Sequence, residues 1–308
     1  MNVAILNAGS GWHTDQLCRA LAERGHAGRV LPYERLVARL GTGRGVVRGL
    51  SNGSREILDA DAVLARVIPS GSLEQMIYRV DALHWIEKRG VPVMNSARAI
   101  ERSVDKFYTT ALLQEAGLPT PETVVCESPS DAMSAALAMG DVVIKPIFGS
   151  MGHGMVRVSD PDVAFRVVRA LEQLRTVFYV QRAVDHGGKD VRVFVVGVRV
   201  VGAIERQAPE GHWRTNVSLG GSARPFDLPP AWEQLALGAT AVIGADYAGV
   251  DLLPSRDGTV FVLEVNGIPG WHGLQQATGI DVAAAIVDHL VERVRAGAAP
   301  DRIAELPA

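Results

Sequence analysis

Lysine is scarce in this chain. Of 31 basic residues among 308, only Lys88, Lys106, Lys145 and Lys189 are lysines; arginine supplies the rest. A lysine is then expected where a compact ammonium serves and a planar guanidinium does not. Cysteine is rarer still. Cys18 and Cys126 lie far apart with no metal-ligand spacing around either, which excludes a disulfide framework and a zinc module and points to free thiols in a reducing compartment. No run reaches the roughly 18 apolar residues of a membrane span. The start, MNVAILNAGSGW, has no basic segment ahead of a long apolar core, so no signal peptide is expected and the location expected is cytoplasmic. A net charge of -3 gives no general surface for nucleic acid or anionic membrane. What remains is an ordinary globular balance, 47% hydrophobic and 21% charged, on a chain long enough for two or three domains.

The pattern along the chain changes character once. Up to about Ala97, short apolar strands (Val3 to Asn7, Ala62 to Val67, VPVMN) alternate with helices (Asp15 to Glu23, Ser72 to Arg89), as in an open α/β domain. The second helix carries Leu73, Met76, Ile77, Val80 and Leu83 at the spacing of one face. Ser103 is expected to cap a helix with Val104, Phe107, Tyr108, Ala111 and Leu112 on its apolar face, stopped by Gly117 and Pro119. From Asp141, strands come in quick succession with one helix near Pro161 to Leu174, which reads as α+β with antiparallel pairing. Helices are expected over Pro230 to Gly244 and Asp281 to Arg295, and a loosely held tail after them. The opening VAILNAGSGWHTDQ is strand, glycine loop, helix. It lacks a full dinucleotide fingerprint and is read as a glycine turn into a helix.

Asp257-Gly258 is a strong two-residue hairpin signal. With that turn, Arg256 pairs with Thr259 and Asp251 faces Glu264, while Asn266, two residues on, shares the same face. A three-residue loop would move the pairing by one. Facing carboxylates repel unless positive charge lies between them, and oxygen ligands without His or Cys suit Mg²⁺ or Mn²⁺. In DVVIKPIFGSMGHGMVRV, Lys145 comes after three apolar residues, so its ammonium needs an anionic partner. The loop after it can bring backbone N–H groups close to phosphate, and a nucleotide triphosphate is the economical occupant. Arg206, Arg214 and Asn216 add a fork-shaped anion grip.

The segments SVDKFYTTALLQEAGLPTPET, VIKPIFGSMGHG, DVRVFVVGVRVVGAIERQAPEGHWRTNVSLGG, AGVDLL and LEVNGIPGWHG resemble, in order, the ATP-grasp superfamily. More closely they resemble RimK-type glutamate ligases, and among those the ligases acting on tetrahydromethanopterin-like cofactors. The resemblance implies an ATP-grasp fold behind a Rossmann-like pre-ATP-grasp domain. Its parts would be residues 1–98, a small lid subdomain at 99–184, a large subdomain with the metal site at 185–298, and a tail at 299–308. It implies that Lys106 and Lys145 hold ATP phosphates under the loop Gly149, Ser150, Gly152, Gly154. Gln181, Arg182 and Ala183 fall at the adenine hinge, where many relatives have Gln-Glu-Tyr. Asp190 falls near the ribose, Arg214, Thr215 and Asn216 at the nucleotide, and Asp251, Glu264 and Asn266 at two magnesium ions. The activity implied is ATP-dependent ligation of an amino acid, L-glutamate foremost, to a small-molecule carboxylate through an acylphosphate, with Arg206, Arg214 and Asn216 stabilising the developing charge. Another ATP-grasp ligase, of the D-alanine–D-alanine or glutathione-synthetase type, or an ATP-binding module without ligase activity are the rivals. Arg66, at the end of the strand AVLAR, is expected to bind the acceptor, since ligands of open α/β sheets sit beyond strand carboxyl ends. Nothing in the sequence opposes a homo-oligomer.

Overall fold

The computed structural model describes residues 1–41, 49–149, 154–215 and 220–297. The expected site positions Ser150, Gly152 and Asn216 and the tail 299–308 lie outside the described residues.

The first third of the chain builds a parallel sheet from β1 (Asn2–Asn7), β2 (Ala27–Pro32), β6 (Ala62–Ala65) and β7 (Val93–Met94), in the order β2-β1-β6-β7. Val3 to Leu6 are buried as a continuous run, as befits a strand covered on both faces. A small antiparallel sheet of β3 (Leu36–Arg39), β4 (Gly49–Asn52) and β5 (Arg55–Glu56) lies between β2 and β6 in sequence. Helices α1 (Trp12–Glu23) and α2 (Leu73–Lys88) flank the parallel sheet. Ser72 and Gln75 cap α2 reciprocally, each side chain accepting from the other's backbone N–H, which satisfies two otherwise orphaned donors. The buried stripe of α2 is Arg79, Ala82, Leu83 and Ile86, not the one expected from sequence. Leu73 and Ile77 are 76% and 51% exposed, because only the second half of the helix packs into the N-terminal core.

The next region is two helices where sequence suggested one. α3 (Ala97–Val104) runs into α4 (Lys106–Glu115), and the break falls at Asp105, whose carboxylate accepts from the Tyr108 N–H at 3.0 Å. Asp105, not Ser103, is thus the N-cap; the Ser103 hydroxyl donates to the Ile100 carbonyl inside α3. The shift rotates the buried face to Thr109 and Leu113 and leaves Val104, Phe107 and Tyr108 exposed. It also puts Lys106 at the first helical position.

Two antiparallel sheets complete the chain. The smaller has the order β10-β9-β11-β8, from β8 (Thr123–Cys126), β9 (Val142–Lys145), β10 (Val156–Val158) and β11 (Phe178–Arg182), and packs against α5 (Pro129–Met139) and α6 (Pro161–Gln173). The larger has the order β14-β13-β12-β15-β16, from β12 (Lys189–Val196), β13 (Arg199–Gln207), β14 (Ser222–Pro225), β15 (Tyr247–Pro254) and β16 (Val260–Asn266). α7 (Pro230–Ile243) covers one face of it, with Ala236, Ala239 and Ile243 against Val193, Val250 and Leu252. The opposite face carries the polar residues of the site. After β16 come α8 (His272–Thr278) and α9 (Val282–Arg295). α9 places Ile286, Val287 and Leu290 in one cluster with Ile5, Leu17 and Leu21 of the N-terminal domain and Val196 of the large sheet, so a single core joins the two. Asn95, fully buried at the end of β7, fastens the same junction. Its amide donates to the carbonyls of Tyr247 and Gly267, and its oxygen accepts from the N–H groups of Asp246 and Tyr247. Among the described residues no helix is long and apolar enough to cross a membrane.

Candidate active site

The β15–β16 hairpin brings Asp251 opposite Glu264 and Gly249 opposite Asn266, but not by the turn read from the sequence. The Ser255 N–H donates to the Thr259 carbonyl at 2.8 Å across a three-residue loop, and the ladder begins at Pro254 with Val260. That register would put Leu263 opposite Asp251. A β-bulge corrects it: Leu252 pairs with Val262, Leu263 has no ladder partner, and Glu264 regains its place. A bulge adds one residue to one strand and re-aims the side chains beyond it.

β12 supplies the positive charge that the facing carboxylates require. Asp190, Arg192 and Phe194 alternate along it toward the site, with Arg192 opposite Asp251 and Asp190 opposite Arg206 of β13. Both oxygens of Asp251 contact Arg192, through Nε and through Nη2 at 2.7 Å, and Nη2 of Arg206 lies 3.0 Å away. Burial alone would raise the Asp251 carboxyl; the two guanidinium groups outweigh it and hold Asp251 below the usual carboxylate range. Arg206 also binds Asp190 at 2.7 and 2.5 Å, and the Thr215 hydroxyl donates to Asp190 at 2.6 Å. Asp190, which lines the cleft, is therefore the anchor of Arg206, its carboxylate buried and engaged. Arg192 was missed in the sequence, although its place two residues after Asp190 in DVRVFVV puts both on one strand face.

The two lysines reach the same cleft from different elements, Lys145 from the small antiparallel sheet and Lys106 from the first turn of α4, which packs on the core of the large sheet. Lys145 ends β9 and donates to the Gln181 side-chain oxygen at 2.6 Å. Burial pushes its ammonium down to about 8, with Glu264 opposing the shift and Lys106 adding to it. Lys106 donates to the carbonyls of Ile147 and Gly149, at 3.3 and 2.7 Å, and burial lowers it as well against the pull of Glu264. The cleft has a volume of about 680 Å³, and Lys106, Lys145, Arg192, Arg206, Asp251 and Glu264 all line it. Two partly desolvated ammonium groups beside guanidinium groups make an anion site; Glu264 and Asn266 at its floor offer oxygen to a cation.

Residues 103–290 match the RimK-like ATP-grasp domain, and residues 1–100 match the RimK pre-ATP-grasp domain. The chain belongs to the RimK-like ATP-grasp family. It is an ATP-dependent ligase. The tetrahydromethanopterin:alpha-L-glutamate ligase of Methanosarcina acetivorans is 36% identical over 259 residues, 75% of this chain and 80% of that protein. The probable alpha-L-glutamate ligase of Trichodesmium erythraeum is 35% identical over 307 residues, 98% of this chain and all of that one. The ATP-grasp ligase PsnB, solved with a variant of its minimal precursor, Mg and ADP, superposes with a TM-score of 0.73 at 21% identity, over 95% of this chain and 98% of that one.

Elsewhere in the ligase, Gln181 is buried and donates to Thr123 and Tyr179. The N–H groups of Arg182 and Ala183 are committed to the carbonyls of Glu122 and Asp141, and the Arg182 guanidinium grips Glu122. Gly149 and Gly154, with φ of +148° and +74°, stand at the two roots of the glycine loop. Arg214 lines the cleft beside Trp213. Arg66, expected to bind the acceptor, does not line the cleft. It is 2% exposed, donates to the Tyr247 hydroxyl at 3.1 Å and the Pro269 carbonyl at 2.9 Å, and lies over the Trp271 ring at 4.8 Å. Tyr247 of β15 and the loop after β16 stand at the carboxyl end of β6, so the usual ligand position beyond a parallel strand is filled by protein. His13, passed over in the sequence as part of a glycine turn, does line the cleft. Its Nε2 accepts from the Trp271 N–H at 3.1 Å, and burial, with Arg66 and His272, lowers its imidazole to about 4.

Proposed function

We propose that the ligase joins the amine of L-glutamate to a carboxylate-bearing small molecule. The relative from Methanosarcina acetivorans, named for tetrahydromethanopterin and glutamate, supports a pterin-type or related one-carbon cofactor as that acceptor. The observation that carries the reading is one cleft in which Lys106, Lys145, Arg192 and Arg206 meet Asp251, Glu264 and Asn266. An acceptor carboxylate oxygen bonds to the γ-phosphorus of ATP as the bond to ADP breaks. The glutamate nitrogen then bonds to the acyl carbon, phosphate leaves with the electron pair, and the amine gives up a proton. Lys106 and Lys145 hold the phosphates, and Arg206, Arg214 and Asn216 stabilise the charge that grows on the acylphosphate. Positioning and charge neutralisation do most of the work in such transfers.

The all-oxygen set Asp251, Glu264 and Asn266 fits Mg²⁺ or Mn²⁺. Asp251 is ionised, Glu264 is only partly buried, and Asn266 keeps one oxygen in play, though it also accepts from the Ile268 N–H at 2.9 Å. Two ions bound there would neutralise the bridging phosphate oxygens.

The test incubates the protein with ATP, Mg²⁺, L-glutamate and a panel of pterin-type and peptide carboxylates, reading ADP and product mass. ADP should appear only when carboxylate and amine are both present, with a product heavier by one glutamyl residue. Glu264→Ala should abolish turnover and keep the fold. Nucleotide binding without any amine-dependent product would favour a non-catalytic ATP-binding module instead.

A further inference from the structure

Asp251 is 4% exposed, and its carboxylate is already occupied. Arg192 takes both oxygens and Arg206 adds a third contact at 3.0 Å. A carboxylate offers about four lone-pair directions, so little is left for a cation. The two arginines are not equivalent. Arg206 is buried and holds Asp190 by two bonds, so it keeps a partner if Asp251 turns away. Among the described residues, Asp251 is the one carboxylate that Arg192 pairs with, and Arg192 is on the cleft wall. Its side chain lies across β15 where the strand has no side chain of its own. A Cβ on Gly249 would come 3.2 Å from the Arg192 Cδ and 3.3 Å from its Nη1. Farther along the floor, Phe194 is next on the same strand face and Ile204 stands opposite Arg192, so no nearer acid competes for the guanidinium there.

We propose that Arg192 is a latch on Asp251 that divalent-cation binding opens, and that the freed guanidinium then grips the reacting carboxylate of the acceptor. The latch rests on the proposed ligase reaction and adds an order to it. A cation that needs near-octahedral oxygen ligands at about 2.1 Å competes with Arg192 for the same oxygens and repels it. Until that happens, Asp251 neutralises Arg192, and an incoming carboxylate finds no unpaired fork. Nucleotide with its metal therefore precedes the acceptor.

Two readouts on the full chain test this without turnover. The first is the ¹⁵Nε–Hε NMR signal of Arg192, assigned by its loss in Arg192→Lys. It should sit at a strongly hydrogen-bonded position in the free protein. Mg²⁺ with a non-hydrolysable ATP analogue should move it toward the solvated position, and glutarate should move it again. The second is Mn²⁺ binding with the same analogue, followed by electron paramagnetic resonance. Arg192→Gln should bind Mn²⁺ about tenfold tighter than wild type, with Arg192→Lys between them. A signal unmoved by the metal–nucleotide pair, or Arg192→Gln binding Mn²⁺ no tighter, overturns the latch and leaves the ligase reading standing. A signal unmoved by glutarate overturns the acceptor half. Wild type that binds no Mn²⁺–nucleotide at all overturns both the latch and the metal reading.

Discussion

At the scale of single residues, the most informative group is Lys145. Its ammonium follows three apolar residues, donates to the Gln181 amide oxygen and lies 5.8 Å from the centre of the Tyr179 ring. Its ordinary value of 10.5 falls to about 8 in the fold. Between those two values the unfolded chain binds the proton and the native one does not, so stability rises with pH there; below about 8 the cost of the buried charge is felt in full. Lys145→Met should therefore stabilise the free protein at neutral pH, by at most on the order of 3 kcal/mol, while weakening ATP binding sharply. Chemical denaturation of both forms at several pH values checks the first part, and a destabilised mutant would refute it. Phosphate anions restore the charge, so ATP binding near pH 8.5 should take up a proton. Calorimetry in two buffers of different ionisation heat reads that uptake, which Lys145→Met should abolish. This much was legible from sequence, since an apolar run ending in lysine states its own problem. Arg192 is not legible there, because its importance comes from what lies opposite it, Asp251 on β15.

At the scale of elements, the hairpin shows how a strand pairing can be right for the wrong local reason: Asp251 does face Glu264. Asp257-Gly258 suggested a two-residue turn; the chain uses three, and the bulge at Leu263 cancels the offset. Deleting Leu263 should leave the ladder regular with the glutamate still opposite Asp251. Inserting an alanine after Leu263 should carry Glu264 and Asn266 one residue, about 3.3 Å, along the strand from Asp251 and turn them to the opposite face of the sheet. Metal-dependent nucleotide binding should survive the deletion and fail in the insertion. The reverse result would mean that the bulge itself, not the register, builds the site. Helix ends show a related limit. Ser103 and Asp105 are both good caps, and the face that α4 buries, Thr109 and Leu113, lies one residue on from the expected Tyr108 and Leu112, which periodicity alone could not decide.

At the scale of the whole molecule, the N-terminal domain and the large sheet are joined through α9, Asn95 and Arg66. Truncating Arg66 to alanine leaves the Pro269 carbonyl and the Tyr247 hydroxyl without their donor and removes a cation from two aromatic rings. A loss of about 2–4 kcal/mol is expected, seen as a lower melting temperature, with the Michaelis constants of ATP and of the acceptor little changed. A normal melting curve combined with a raised acceptor constant would return Arg66 to the substrate pocket.

The sequence by itself determined the features that depend on neighbours along one strand or helix: the change from parallel to antiparallel architecture, the apolar run before Lys145, and the shared face of Glu264 and Asn266. These rest on periodicities of two and 3.6 residues, which are properties of the backbone. Only the tertiary structure decided which charges meet. Asp251 joins Arg192 and Arg206 across three adjacent strands, Asp190 is taken up by Arg206 and Thr215, and Arg66 is closed off by a loop about 200 residues later in the chain. A buried charge selects its partner by distance and desolvation, and neither quantity exists until the sheets and domains have come together.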